Sequence, residues 1–122
     1  KLIDWIPYNQ LTIKMGEADL ILGIFGDSDK AKRVIPNKLF QALAVNKPIL
    51  TADTPAIREL LIPDTHIFIT EAKEDKIAEK IDFIRSHKKN RQIVSMNGFH
   101  YFQEKLSIIK LGADLKTILQ CL

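Results

Sequence analysis

The sequence predicts an α/β fold built around a parallel sheet, and two observations carry that expectation. Short, almost continuously apolar runs at residues 19–25, 48–51 and 66–70 read as strands, the first of them typical of a strand buried on both faces. Between them lie stretches with apolar residues at helical spacing, bounded by proline, glycine or capping residues. Strands alternating with helices at such short intervals give a Rossmann-like, three-layer α/β/α arrangement.

In chain order, residues 2–7 form a short apolar piece closed by Pro7, expected as the tail of a strand and its exit loop. Residues 8–15 can form a helix with Leu11 and Met15 at i, i+4 spacing, ended by Gly16. Residues 26–33 are polar and charged and read as a loop. Residues 37–45 are helical, with Leu39, Phe40, Leu43 and Ala44 on one face and Lys38 and Gln41 on another. Asn46 and Lys47 turn the chain into the second strand. Thr54 before Pro55 has the form of an N-cap with proline at the first helical position, opening a short helix to Leu61. Pro63 and Asp64 break the chain before the third strand. Ile77, Ile81 and Ile84 mark one face of a helix over 74–87, and residues 88–91 read as a solvated junction. Two more helices follow, over 91–104 and 108–122. Ser107 is placed to cap the second, whose stripe Ile108, Leu111, Leu115, Ile118 and Leu122 is expected to pack in the core or against another domain.

Composition narrows the function. With 122 residues, 46% of them hydrophobic, the chain makes one domain or part of one. A formal charge of +3 is mild, and the Lys and Arg residues are spread over most helices with few aromatics between them. That pattern suits a phosphate-bearing small ligand better than a nucleic acid. The single cysteine, Cys121, allows no internal disulfide and no cysteine metal site, which fits a reducing, cytoplasmic setting. No apolar run approaches the length that spans a bilayer. The chain opens at Lys1 in what reads as the end of a strand, so a piece of a longer protein is expected.

Residues 23–51 carry most of the functional signal. They read as strand, polar loop, helix and strand, the layout of a crossing that holds a phosphorylated ligand. Ligands of such sheets sit beyond the carboxyl ends of the strands. The loop after Phe25, the Pro36-Asn37-Lys38 turn and the loop after Thr51 all fall on that edge. The helix start offers free amides and a positive dipole end, and Lys38 adds a full charge. Lys30, Lys32 and Arg33 are further cations in the loop. Asp27 and Asp29 lack a third ligand at metal spacing, Glu59 reads as helix surface, and His66, His87 and His100 are scattered.

The ordered set Ala18-Asp19-Leu20, Gly23-Ile24-Phe25-Gly26, Ile35-Pro36-Asn37-Lys38, Ala42-Leu43-Ala44 and Lys47-Pro48-Ile49 resembles one family. Tyr101-Phe102 and Leu106-Ser107, followed by one last helix, extend the likeness. The family is that of GT-B glycosyltransferases, and the matching part is their C-terminal, nucleotide-sugar-binding domain. Its closest members would be the group 1, family 4-like enzymes of bacterial surface polysaccharides. The resemblance implies two Rossmann-like domains, with residues 1–122 supplying most of the second. It further implies transfer of a sugar from a nucleoside diphosphate to a glycan or lipid-linked acceptor, in O-antigen- or capsule-type synthesis. No metal or other cofactor is implied. The acceptor would come through the N-terminal domain, in a parent peripheral at the inner membrane face.

Residue by residue, the resemblance puts Lys38 against the diphosphate and Gln41 where an acid usually holds the ribose. Arg33 stands where a second acid lies near the sugar. Gly26, Pro36 and Asn37 complete the implied donor-binding set, and no catalytic residue is assigned. An amide can still hydrogen-bond a ribose, without the stronger bond of a carboxylate. Loss of both acids supports a rival reading, a non-catalytic nucleotide-binding or regulatory module.

Overall fold

Three short strands pair in parallel in a computed structural model that describes residues 2–122. The elements in chain order are α1 (Tyr8–Glu17), β1 (Ile21–Leu22), α2 (Asp29–Arg33), α3 (Asn37–Ala44), β2 (Ile49–Ala52), α4 (Pro55–Leu60) and β3 (Phe68–Thr70). Then come α5 (Glu74–Ser86), α6 (Lys88–Tyr101), a π-helical turn (Phe102–Leu106) and α7 (Ile108–Gln120). The sheet order is β1-β2-β3, with Ile21 opposite Ile49 and Leu50 opposite Phe68.

Alternation along the strands builds the layers. Ile49 joins one apolar cluster with Ile21, Leu39, Leu43, Ile57 and Ile67. Its neighbour Leu50 joins the opposite cluster with Phe68, Ile84 and Val94. Thus α3 and α4 cover one face of the sheet and α5 the other, while α6 begins on the α5 side at Val94 and passes the amino edge to lie against α3, where Gly98 meets Leu43. This is the expected three-layer α/β/α arrangement. All of β2 is buried, as a central strand should be.

The first strand departs from expectation. Leu22 and Ile24 are each 43% exposed, so residues 19–25 are not buried on both faces. Among the described residues β1 pairs only with β2, at the edge of the sheet, and the helices of the second face cluster over β2 and β3 instead. Residues 2–7 form no strand either; no neighbour pairs with them, and Pro7 serves as the N-cap position of α1. That helix passes through Gly16 and stops at the extended Ala18, whose N–H bonds the Met15 carbonyl.

Two polar stretches fold into helix. The 26–33 loop contains α2, opened by Ser28, whose hydroxyl accepts the Ala31 N–H at 3.2 Å. Residues 88–91 form the first turn of α6; the break lies at His87 alone, whose N–H closes α5 on Phe83 while its carbonyl takes the Arg91 N–H. In α3 the buried face is Leu39, Ala42 and Leu43, with Phe40 half-buried and Ala44 exposed.

Several expectations hold. Thr54 caps α4 with Pro55 following, Ser107 caps α7, and Asn46 turns the chain at φ 54°. The stripe on α7 does not join the core. Leu111 and Ile118 are 51% and 60% exposed, and the helix packs chiefly against the π-helical turn.

Candidate functional site

Close backbone packing shapes the carboxyl edge of the sheet. β1 continues its pairing past Leu22, with Gly23 N–H to Leu50 O at 2.8 Å and Ala52 N–H to Ile24 O at 3.2 Å. A Cβ on Gly23 would collide with the Thr51 side chain and crowd Leu39, so only glycine fits there. Thr51 then donates its hydroxyl to Ile24 O at 3.3 Å. The strand ends are thereby fixed side by side, and three loops leave from the same rim.

Those loops enclose a cavity of about 440 Å³, lined by Gly26, Asp27 and Lys32, then Asp53 and Thr54, then Glu71 and Lys73. Its charges are matched in pairs. Lys32 lies 3.1 Å from Asp27 and Lys73 lies 2.7 Å from Glu71. Arg58 grips Asp53 with both ends of its fork, Nε to Oδ1 at 2.6 Å and Nη2 to Oδ2 at 2.7 Å. These bonds hold the Asp53 carboxyl below its usual range, against a smaller opposing effect of burial, and the Arg58 charge adds to them. The hydrogen bond to Glu71 likewise raises the Lys73 ammonium. All these side chains are solvent-accessible, so the pairs orient groups more than they stabilise the fold.

A second cavity, of about 410 Å³, lies between α1 and α3 beside β1. Leu11, Met15, Ile21 and Leu22 give it apolar walls, and Lys14, Lys38 and Gln41 supply polar groups. Lys38 sits in the first turn of α3 and its Nζ donates to the Leu22 carbonyl at 3.4 Å. It forms no ion pair among the described residues, whereas Lys14 pairs with Glu17 at 2.8 Å. Apolar walls with a few convergent polar groups are the usual make-up of a small-molecule site.

The sequence-derived residues therefore divide between two places. Lys38 and Gln41 share the α1–α3 cavity, and Gly26 lines the rim cavity. Pro36 is the N-cap of α3, and Asn37 is its exposed first residue. Arg33 is exposed on α2, 3.9 Å from Asp29, and lines neither cavity. Asp27 and Asp29 are each engaged by a cation, and Glu59 is exposed on α4. His66 stacks on Tyr101 and His87 on Phe83, apart from both cavities. Sequence reasoning missed Asp53, Arg58, Glu71 and Lys73, and it missed the part of α1 in the Lys38 cavity. The five-residue spacing of Asp53 and Arg58 around the Thr54-Pro55 start was the available signal.

A family model described as "Glycosyl transferase-like" matches residues 1–108. No curated protein matches the sequence. Among solved structures, HepE of Anabaena in complex with UDP is similar with a TM-score of 0.76 and 15% identity. The match covers 89% of this chain and 29% of HepE. HepE in complex with UDP-glucose has a TM-score of 0.73 at 17% identity, with the same coverage. The C-terminal domain of LpcC, a group 1 family glycosyl transferase of Francisella tularensis, has a TM-score of 0.68 at 21% identity. That match covers 87% of this chain and 53% of the LpcC chain. At such identities the likeness establishes the fold, a Rossmann-like half-domain of GT-B type.

Proposed function

The chain belongs to the glycosyl transferase-like family, and on that premise we propose that it is the donor-binding, C-terminal domain of a longer two-domain sugar transferase. The observation that carries this reading is Lys38, a cation without a carboxylate partner, in the first turn of α3 beside Gln41 and an apolar wall. The donor is a nucleoside-diphosphate sugar, and the UDP complexes of similar folds favour uridine. Lys38 and the free amides of α3 would take up charge on the departing diphosphate, a task that requires no metal ion. Gln41 would bond the ribose as donor and acceptor. The parent would work in the cytoplasm or at the inner membrane face, on a glycan or lipid-linked acceptor of bacterial surface polysaccharide or lipopolysaccharide synthesis. No helix among the described residues is long and apolar enough to cross a membrane.

Calorimetric titration of the 122-residue protein with UDP, GDP and ADP tests this. Binding of UDP with preference over the other two is the expected result, without sugar transfer by this chain alone. Binding of none of the three, or detectable transfer, contradicts it. Gln41 and Arg33, where the resemblance implies acids, support a second reading as a regulatory nucleotide-binding module. A parent enzyme that binds UDP yet neither hydrolyses nor transfers from any UDP-sugar would favour that alternative.

A further inference from the structure

At the opposite, amino edge of the sheet, a cavity of about 440 Å³ opens between the α3–β2 turn and α6. Lys47 on the turn and Arg91 on α6 both line it, and both are half-buried. Neither forms an ion pair among the described residues. Asp19 is the acid at this cavity, but it is exposed and lies beyond ion-pair reach of either cation. Gln92 adds an amide to the wall. The first turn of α6, just before Arg91, carries no acid; its Lys88 and Lys89 are exposed and lie outside the cavity wall. A half-buried cation without a counter-charge has lost hydration and gained no partner. Two such cations, brought from separate elements to one cavity, are suited to an anion.

The walls are fixed rather than loose. Ser95, buried on α6, places its hydroxyl 2.9 Å from the Asn46 carbonyl and 2.7 Å from Asn46 Oδ1. A hydroxyl has one proton, so it donates to one of these; with the amide turned over, Asn46 Nδ2 donates to Ser95 and Ser95 to the carbonyl. Either arrangement pins α6 to Asn46, which holds φ 54° immediately before Lys47.

We propose that this cavity binds a phosphate-bearing anion, a mono- or diphosphate, independently of the donor edge. The Arg91 guanidinium matches a phosphate in bidentate geometry, and Lys47 supplies a point charge from the facing wall. Soluble phosphates and anionic lipid headgroups offer the same chemistry.

Titration with pyrophosphate, followed by amide chemical shifts, tests the proposal on the 122-residue protein. Saturable shifts are expected at Asn46, Lys47 and the first two turns of α6, with affinity about tenfold weaker in Lys47→Ala and in Arg91→Ala. Arg91→Gln, which keeps much of the aliphatic stem, replaces Arg91→Ala if circular dichroism shows that variant unfolded. Co-sedimentation with phosphatidylglycerol vesicles, against phosphatidylcholine vesicles, separates the sources. Vesicle binding that both variants lose assigns a headgroup; pyrophosphate saturation without vesicle binding assigns a soluble ligand. The proposal is overturned by unchanged affinity in both variants, by shifts confined to the start of α3, or by no saturable binding of either probe. None of these results depends on whether Lys38 binds a donor.

Discussion

At the carboxyl edge of the sheet Lys32, Arg58 and Lys73 each lie against a carboxylate, whereas at the amino edge Lys47 and Arg91 meet none among the described residues. The rim cavity is thus nearly balanced in charge, and its cations are bound to partners that a ligand would have to displace. Lys38 differs from its neighbours on that side because its ammonium bonds only a backbone carbonyl. A count of cations in a loop therefore says little about anion binding; the state of pairing decides which cation is available. Among the described residues, Lys38, Lys47 and Arg91 combine a place in a cavity wall with the lack of an ion pair, and the two proposed anion sites rest on that combination.

The largest expected effect comes from disturbing the seat of α6, which fixes Arg91. A Cβ at Gly98 would lie 2.5 Å from the His66 carbonyl oxygen and 2.8 Å from Leu43 Cδ2. Gly98→Ala is expected to lower stability by about 3 kcal/mol, the upper range for overpacking, in urea denaturation. An unchanged midpoint would mean that α6 is not held against α3 as described. Next comes the lock beside Lys47. Ser95→Ala removes the bond from the buried Ser95 to the half-buried Asn46 and should cost about 1 kcal/mol, with broadened amide signals at Asn46 and Lys47. Signals as sharp as in the parent would show that the turn holds its shape unaided.

A third effect is set by pH. His66 Nδ1 accepts the Ile62 N–H at 3.2 Å, which requires an unprotonated nitrogen, and burial pushes the imidazole below its ordinary range. The unfolded chain then takes up its proton first. The stabilisation is complete above about pH 6.5 and is lost as pH falls through the folded value. Melting temperatures should drop on acidification from neutral pH, and His66→Gln should flatten that part of the profile. An identical slope in the variant would remove His66 from the account. The smallest effect belongs to the paired rim: Lys32→Ala should change stability by no more than about 0.5 kcal/mol and leave UDP affinity nearly unaltered. A large loss of UDP affinity would place the donor in the rim cavity instead.

Much of the framework was legible because it follows from local rules. Thr54-Pro55, Ser107 and Asn46-Lys47 announce two helix starts and a turn, and the apolar runs announce β2 and β3. Less legible was whatever depends on neighbours. The run at 19–25 reads as doubly buried, yet an edge position leaves Leu22 and Ile24 exposed. Charged residues 29–33 read as loop, although Ser28 and an i, i+4 pair from Asp29 to Arg33 support a short helix. The place of Lys38 at a helix start was readable from Pro36-Asn37 before it. Its separation from Gly26 was not, because that depends on α1 lying against β1 and α3. The Asp53–Arg58 pair joins the residue before the Thr54 cap to α4, and its spacing around Thr54-Pro55 was the one hint of it in the sequence.

The most direct measurement is UDP affinity in three proteins: the parent chain, Lys38→Ala, and the double variant Lys47→Ala/Arg91→Ala. Removing a charged hydrogen-bonding partner of the diphosphate should weaken binding about tenfold to a hundredfold in Lys38→Ala. The double variant, altered only at the amino edge, should keep the parent's UDP affinity at the donor edge, read from amide shifts at the start of α3. Equal affinity in the parent and Lys38→Ala, or a loss confined to the double variant, would contradict the assignment of the donor to the start of α3.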